Sequence, residues 1–90
     1  MIEKERLKHW ATELANEIQS HSHESNDVRD LAEYKALMDA IEEAKLLKID
    51  SPRRLGNIAL FEEYKNFQKF PELEEALSCF HVLLQGLWLP

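Results

Sequence analysis

The stretch PELEEALSCFHVLLQ, residues 71–85, decides the fold class of this 90-residue chain. Its apolar residues recur at intervals of three or four, which is the repeat of one helical face. Pro71 suits the first position of a helix, and the glutamates that follow suit the positive end of the helix dipole. The stretch therefore predicts a helix over about 71–85 that ends at Gly86 as its C-cap. The inner face of this helix is expected to hold Leu73, Ala76, Leu77, Phe80, Leu84 and Leu87.

The same apolar repeat, followed towards the amino terminus, predicts three further helices. They extend over about 2–20, 27–48 and 57–69, and the last of these three is short. Because the connections are short, neighbouring helices are expected to pack against each other. We therefore predict an all-α fold, a compact bundle of four helices in a single helical domain, residues 1–90. The expected core consists of Leu7, Trp10, Leu14, Ile18, Leu31, Met38, Ile41, Leu60, Tyr64, Phe67, Leu73, Leu77, Phe80 and Leu84.

The composition favours helices independently of the pattern. Leu, Ala, Glu and Lys supply 42 of the 90 residues, whereas Val, Ile and Thr together supply only 8. Straight side chains keep their rotamer freedom in a helix, and β-branched side chains lose it. Two glycines and three prolines also leave few residues for the tight turns of an antiparallel sheet.

The formal net charge of −6 limits the kinds of partner that the chain can bind. An acidic chain is repelled by nucleic acid and by anionic membranes. Arg53 and Arg54 form the only dense basic spot, and we interpret them as ion-pair partners of Glu62, Glu63 or the acidic helices. The sequence therefore predicts no direct nucleic-acid binding and no membrane binding. It favours another protein with a basic surface as the partner.

Cys79 is the only cysteine, so an internal disulfide cannot form, and a lone thiol fits a reducing compartment. The first ten residues, MIEKERLKHW, lack the apolar region of a secretory signal. The longest uncharged run, residues 76–90, is shorter than the roughly 20 residues that span a bilayer. We therefore expect a cytoplasmic protein.

Residues 20–27, SHSHESND, contain the one candidate metal site. His21 and His23 are one residue apart, and Glu24 and Asp27 could add oxygen ligands. A zinc site needs three or four ligands held by rigid neighbours. We interpret the stretch as a polar connection whose serines cap the next helix, and we predict no metal and no other cofactor. Histidines can become protonated at about pH 6, but nothing in the sequence couples such a change to a switch.

No motif in the sequence indicates catalysis. The chain lacks a nucleophile elbow, a nucleotide-binding glycine loop and an HExxH zinc motif. A core this small also leaves little room for a substrate pocket. We therefore predict that the chain is not an enzyme and has no catalytic residues.

Two features suggest an interface with another molecule. The first is the acidic side of the second helix, Asp39, Glu42 and Glu43, which is nearly uncompensated and could steer a basic partner. A merely solvated helix face is the alternative interpretation of these carboxylates.

The second feature is the apolar carboxyl-terminal run. After Glu75 the last helix has no charged outer side, Val82 takes an outer position, and Trp88 and Leu89 continue the run. A helix without a polar face is buried on most sides, either by its own bundle or by a second chain. Tryptophan is also an enriched interface anchor. The alternative interpretation is that Trp88 folds back and closes the end of the bundle.

Together these features predict a small acidic cytosolic protein-binding module that occludes or docks on a partner protein. Inhibitors, immunity proteins, antitoxins and phage-type regulators are of this kind, and the analogy is one of type alone. The first alternative is an obligate homodimer or structural subunit with the fourth helix as its seam. The second is a metal or small-ligand regulator that uses His21 and His23. The predicted partner interface consists of Asp39, Glu42, Glu43, Val82, Trp88 and Leu89.

Overall fold

Four helices make up most of the chain that the computed structural model describes, residues 3–53 and 69–87. They are α1 (Lys4–His21), α2 (Asn26–Ala32), α3 (Lys35–Lys45) and α4 (Pro71–Leu84). No strand occurs within these described residues, and the prediction of an all-α fold is confirmed. The helix predicted over 57–69 lies outside the described residues.

The first and last of these helices closely match the sequence prediction. The predicted ranges of about 2–20 and 71–85 differ from the observed helices by no more than two residues at either end. Both helices have a regular apolar face, so the position of each was readable from spacing alone. The buried residues of α1 are Leu7, Ala11, Leu14 and Ile18, and those of α4 are Leu73, Ala76, Leu77, Phe80, Leu83 and Leu84.

The prediction of one continuous helix over 27–48 is wrong. The chain leaves helical geometry between α2 and α3, where Tyr34 has extended backbone angles, with φ at −77° and ψ at 98°. At about 100° per residue, the buried residues of α2 and α3 would lie about 160° apart around one continuous helix. The break turns both groups towards the same core. These residues are Val28 and Leu31 in α2, and Leu37, Ala40, Ile41 and Ala44 in α3.

Helix α1 is the element on which the other three pack, most extensively α4 and α3. An ion pair between Lys4 and Asp50 places the start of α1 beside the segment that follows α3. The rings of His21 and Phe70 are in contact, which places the end of α1 beside the start of α4. Helix α1 therefore runs antiparallel to both α3 and α4.

The carboxyl ends of α3 and α4 lie at the same end of the bundle. The backbone N–H of Arg53, in the segment after α3, donates to the carbonyl oxygen of Leu84 at 2.8 Å. Gly86 follows α4 with a φ of +83°, and a Cβ built on it would lie 2.9 Å from Cγ of Pro52. The sequence prediction of Gly86 as the residue that terminates this helix is confirmed.

The core is entirely apolar over the described residues, with no buried polar or charged side chain. Nine residues of the predicted core are buried, and Trp10 and Met38 pack against them while partly exposed. The predicted core residues Leu60, Tyr64 and Phe67 lie outside the described residues. Eight further residues are buried that the prediction did not include: Ala11, Val28, Leu37, Ala40, Ala44, Ile49, Ala76 and Leu83.

Candidate functional site

The solvent side of α3 carries a stripe of three exposed residues, Asp39, Glu42 and Leu46. They are spaced by three and four positions, so they are neighbours on one side of the helix, opposite its buried face. We call these three residues the α3 outer stripe. The side-chain carboxylate of neither Asp39 nor Glu42 forms a hydrogen bond or an ion pair with any described residue. The stripe therefore presents two uncompensated carboxylates on a rigid element.

Glu43, the third predicted acidic residue, is in a different situation because Arg53 neutralises it. The guanidinium Nη1 of Arg53 donates to Oε2 of Glu43 at 2.7 Å, and Nη2 donates to Oε1 at 3.3 Å. This hydrogen bonding is the main cause that lowers the pKa of Glu43 and raises that of Arg53. The prediction that the acidic face is nearly uncompensated is therefore wrong for Glu43. The interpretation of Arg53 as an ion-pair partner of an acidic helix is confirmed, and Arg54 lies outside the described residues.

Leu46 is the residue of this surface that the sequence interpretation missed. Its side chain is 61% exposed, although leucine is normally a core residue. A signal was present in the sequence: seven residues after Asp39, Leu46 falls on the polar side of the helix, away from the apolar face. An exposed leucine beside two carboxylates gives the stripe an apolar contact as well as a charge.

The predicted apolar part of the interface is only partly described. Val82 is half-buried, and its carbonyl oxygen accepts a hydrogen bond from the N–H of Leu87 at 3.1 Å. Leu87 is 56% exposed, so the prediction that it lies on the inner face of the last helix is wrong. Trp88 and Leu89 lie outside the described residues. In the described part, Leu87 is thus the exposed apolar residue at this end of α4.

Helix α4 has an exposed outer edge only in its first part. Glu72, Glu74, Glu75 and Ser78 are exposed, whereas every residue from Cys79 to Gly86 is buried or half-buried. The interpretation of the apolar run as a helix buried on most sides therefore holds from Cys79 onwards and not at Ser78.

Arg53 connects the acidic and apolar parts of the predicted interface. Its side chain pairs with Glu43 on α3, and its backbone N–H donates to Leu84 at the end of α4. The carboxyl end of the α3 outer stripe and the exposed Leu87 therefore lie at the same end of the bundle. Asp39 lies about two turns before Leu46 along α3, towards the other end of the bundle.

The two histidines of the predicted connection, His21 and His23, have different surroundings. His21 Nδ1 lies 2.7 Å from Glu24 Oε2, and His21 Nε2 lies 3.4 Å from Glu17 Oε1, whereas His23 is exposed. The two carboxylates are on opposite sides of the His21 ring and cannot converge on one ion with it. Among the described residues, no group of three or more His, Cys, Asp and Glu side chains could hold a metal ion.

Burial governs the chemistry of Cys79. Burial raises the pKa of its thiol, the charge of Glu75 raises it further, and the charge of Arg6 opposes both. The thiolate is the reactive form of cysteine, so a raised pKa makes Cys79 a poor nucleophile at neutral pH.

No protein-family model, no curated protein and no solved structure matches this chain. Within the described residues, none of the helices has both the length and the apolar character that crossing a bilayer requires. The functional argument therefore rests on the geometry and charge of the residues described above.

Proposed function

We propose that this chain is a small, non-enzymatic protein-binding module that docks the α3 outer stripe on a basic surface of a partner protein and occludes it. The observation that supports the proposal is the pairing of two exposed, uncompensated carboxylates with an exposed leucine on one rigid helix. A helix fixed by a buried face presents these groups in a constant geometry. Little ordering is then required when the partner binds.

The charges and the leucine have different roles in this proposal. Carboxylates at the rim of an interface accelerate encounter with a basic partner and exclude acidic ones. Burial of the exposed part of Leu46 against the partner contributes up to about 2 kcal/mol of affinity. The net charge of −6 adds a long-range field of the same sign.

The module as proposed acts in the cytosol, where a chain with Cys79 as its single cysteine stays reduced. Its mechanism is steric: the docked bundle covers a basic groove, as an inhibitor, an immunity protein, an antitoxin or a phage-type regulator would. Leu87, exposed after α4, lies at the same end of the bundle as the carboxyl end of the stripe and is a second apolar contact that a partner can use.

The test uses the double variant Asp39→Lys with Glu42→Lys. Glu43 is left unchanged because a lysine there would face Arg53 and disturb the fold. Affinity purification from the source cell, with proteins quantified by mass spectrometry, is expected to show basic proteins bound to the wild type and lost from the double variant. Circular dichroism is expected to show unchanged helix content.

The matched control is Glu13→Lys with Glu33→Lys, which makes the same change in net charge at exposed positions on other elements. This control is expected to keep the partner, and Leu46→Ala is expected to lower the affinity with the charges intact. A partner retained by the Asp39 and Glu42 double variant, or lost equally from the control, would reject docking through the α3 outer stripe.

A further inference from the structure

His21, the last residue of α1, joins three parts of the chain. Its ring lies between Glu17, one turn earlier on α1, and Glu24, in the connection to α2. The ring also packs on Phe70, immediately before α4, with the ring centroids 4.4 Å apart and the planes inclined by 33°. The Glu24 N–H donates to the carbonyl oxygen of His21 at 3.0 Å, so residues 21–24 form a hydrogen-bonded turn.

This arrangement fits the charged imidazolium better than the neutral imidazole. A neutral histidine has one N–H and one acceptor nitrogen, so one of the two flanking carboxylates would face a lone pair. The imidazolium presents an N–H to both carboxylates. A cation within about 6 Å of an aromatic ring is also attracted to its face, so Phe70 favours the same form.

We propose that His21 is a proton-operated clasp: when protonated it holds the 22–25 connection and the start of α4 against the end of α1, and when it loses the proton these contacts loosen. The charged groups that face the ring in the described residues are Glu17 from α1 and Glu24 from the connection. The α4 side contributes the uncharged Phe70 ring, with Lys69 and Glu72 exposed on either side of it in sequence.

The direction of the pH effect follows from the same contacts. The hydrogen bond to Glu24 is the largest cause that raises the pKa of His21, desolvation opposes it, and the charges of Glu24 and Glu17 add to it. A group whose pKa is raised by folding stabilises the fold while it is protonated. The contribution of the clasp is therefore complete below about 6.5, the pKa of an unfolded histidine, and is lost as the pH rises through the higher folded value.

The test is a proton NMR titration of the full chain from about pH 5 to about pH 8. The ring signals of His21 are expected to titrate at a higher pH in the folded chain than in the chain unfolded by urea. Over the His21 titration, the cross-peaks between the His21 and Phe70 rings are expected to weaken. The backbone signals of residues 22–25 are expected to shift with the same midpoint.

Two variants separate the clasp from a general effect of pH. Glu24→Gln keeps the shape of the side chain and is expected to lower the midpoint of His21. His23→Gln is the matched control and is expected to leave the titration of His21 and of residues 22–25 unchanged. The proposal is overturned if the His21–Phe70 cross-peaks keep their intensity through the His21 titration, or if Glu24→Gln leaves the His21 midpoint where it was. Neither result depends on the α3 outer stripe or on a partner.

Discussion

At the scale of single residues, the ends of α3 and α4 use the same turn with different side chains. In both, the second residue after the last helical one has a left-handed backbone: Leu47 with a φ of 59° and Gly86 with a φ of +83°. In both, the N–H groups that follow donate back to the last turn in the pattern of a Schellman motif. Glycine adopts this conformation freely, but an L-residue such as Leu47 is strained by about 1–2 kcal/mol.

The strain at Leu47 predicts an unusual order of stability. Leu47→Gly is expected to be more stable than Leu47→Ala by about 1 kcal/mol, because glycine alone has no Cβ to clash in the left-handed region. Both variants lose the leucine side chain, so this loss cancels when their free energies of unfolding are compared. Urea denaturation of the two variants, followed by circular dichroism, measures the difference.

The neighbouring residue Leu46 supplies the control. Its φ is −93°, where glycine has no steric advantage. Leu46→Gly is therefore expected to be less stable than Leu46→Ala, so the order of the two substitutions reverses between adjacent positions. The same order at Leu46 and Leu47 would mean that the left-handed backbone does not strain Leu47.

A second prediction at this scale concerns the pKa of Glu43. The hydrogen bonds from Arg53 are the largest cause that lowers it, and the charge of Lys48 is a smaller one. Arg53→Gln is therefore expected to raise the pKa of Glu43 more than Lys48→Gln does, as measured by carbon-detected NMR titration of the side-chain carboxyl group. Equal shifts in the two variants would show that diffuse charge, rather than the bidentate pair, lowers the pKa of Glu43.

The Glu43–Arg53 pair and His21 affect the stability of the fold in opposite directions as the pH changes. A carboxyl whose pKa is lowered by folding stabilises the fold while it is ionised. The contribution of the Glu43–Arg53 pair is therefore present above about 4.3, the pKa of an unfolded glutamate, and is lost as the pH falls through the lower folded value. In Arg53→Gln this loss at acidic pH is expected to be smaller than in the wild type.

At the scale of the elements, sequence spacing predicted α1 and α4 because the apolar residues of each keep one helical repeat from end to end. It failed between α2 and α3 because the core predicted for this segment, Leu31, Met38 and Ile41, left out Val28 and Ala40, both fully buried. When they are included, the sequence itself shows that the apolar residues before and after the break belong to opposite sides of one continuous helix. No proline or glycine lies at the break, so turn-forming residues did not indicate it.

The sequence predicted only part of the candidate surface. The acidic character of Asp39 and Glu42 follows from helical spacing, and the structure leaves both exposed. The pairing of Glu43 with Arg53 joins residues ten positions apart across the end of a helix, and spacing within one helix does not specify such a contact. Leu46 was missed because it lies on the polar side of the predicted helix, away from the residues assigned to the core.

The break between α2 and α3 predicts that proline is tolerated at position 35. Lys35 is the first residue of α3, where a proline loses no helical hydrogen bond, and Tyr34 already has the extended backbone that precedes proline. Lys35→Pro is therefore expected to change the free energy of unfolding by less than about 1 kcal/mol relative to Lys35→Ala. Thermal or urea denaturation provides the measurement.

The control is a proline within α3. Glu42→Pro is expected to cost about 3 kcal/mol or more relative to Glu42→Ala, since it removes a helical hydrogen bond and clashes with the preceding turn. In a continuous helix over 27–48, position 35 would be as intolerant as position 42. Comparable losses at the two positions would therefore contradict the break.

At the scale of the whole molecule, the described helices pack their apolar faces around α1. The buried side chains come from all four helices and from Ile49, and none of them is polar. The exposed large apolar residues of this part are Leu46 and Leu87, both at the carboxyl ends of helices. An obligate dimer interface resembles a divided core and needs far more apolar surface than two such side chains provide.

The outer edge of α4 bears on the alternative of a homodimer with this helix as its seam. Glu72, Glu74, Glu75 and Ser78 are exposed along it. A seam over the full length of α4 would bury these carboxylates, which costs free energy unless each finds a cation. A homodimer seam on α4 would therefore be limited to the carboxyl end of the helix, around Val82 and Leu87. We call this part the reduced seam.

We accordingly expect a monomer in the absence of a partner. Sedimentation equilibrium at micromolar concentration is expected to give a mass of 10.6 kDa that does not change with concentration. A monomer leaves the α3 outer stripe and Leu87 free for another protein, as the proposed function requires. A dimer that dissociates on Trp88→Glu would instead favour the seam, because a charge in an apolar contact between chains is destabilising whereas a charge on a free surface is tolerated. Gln19→Glu, at an exposed position of α1, is the matched control: it adds a negative charge away from the reduced seam and is expected to leave the sedimentation unchanged.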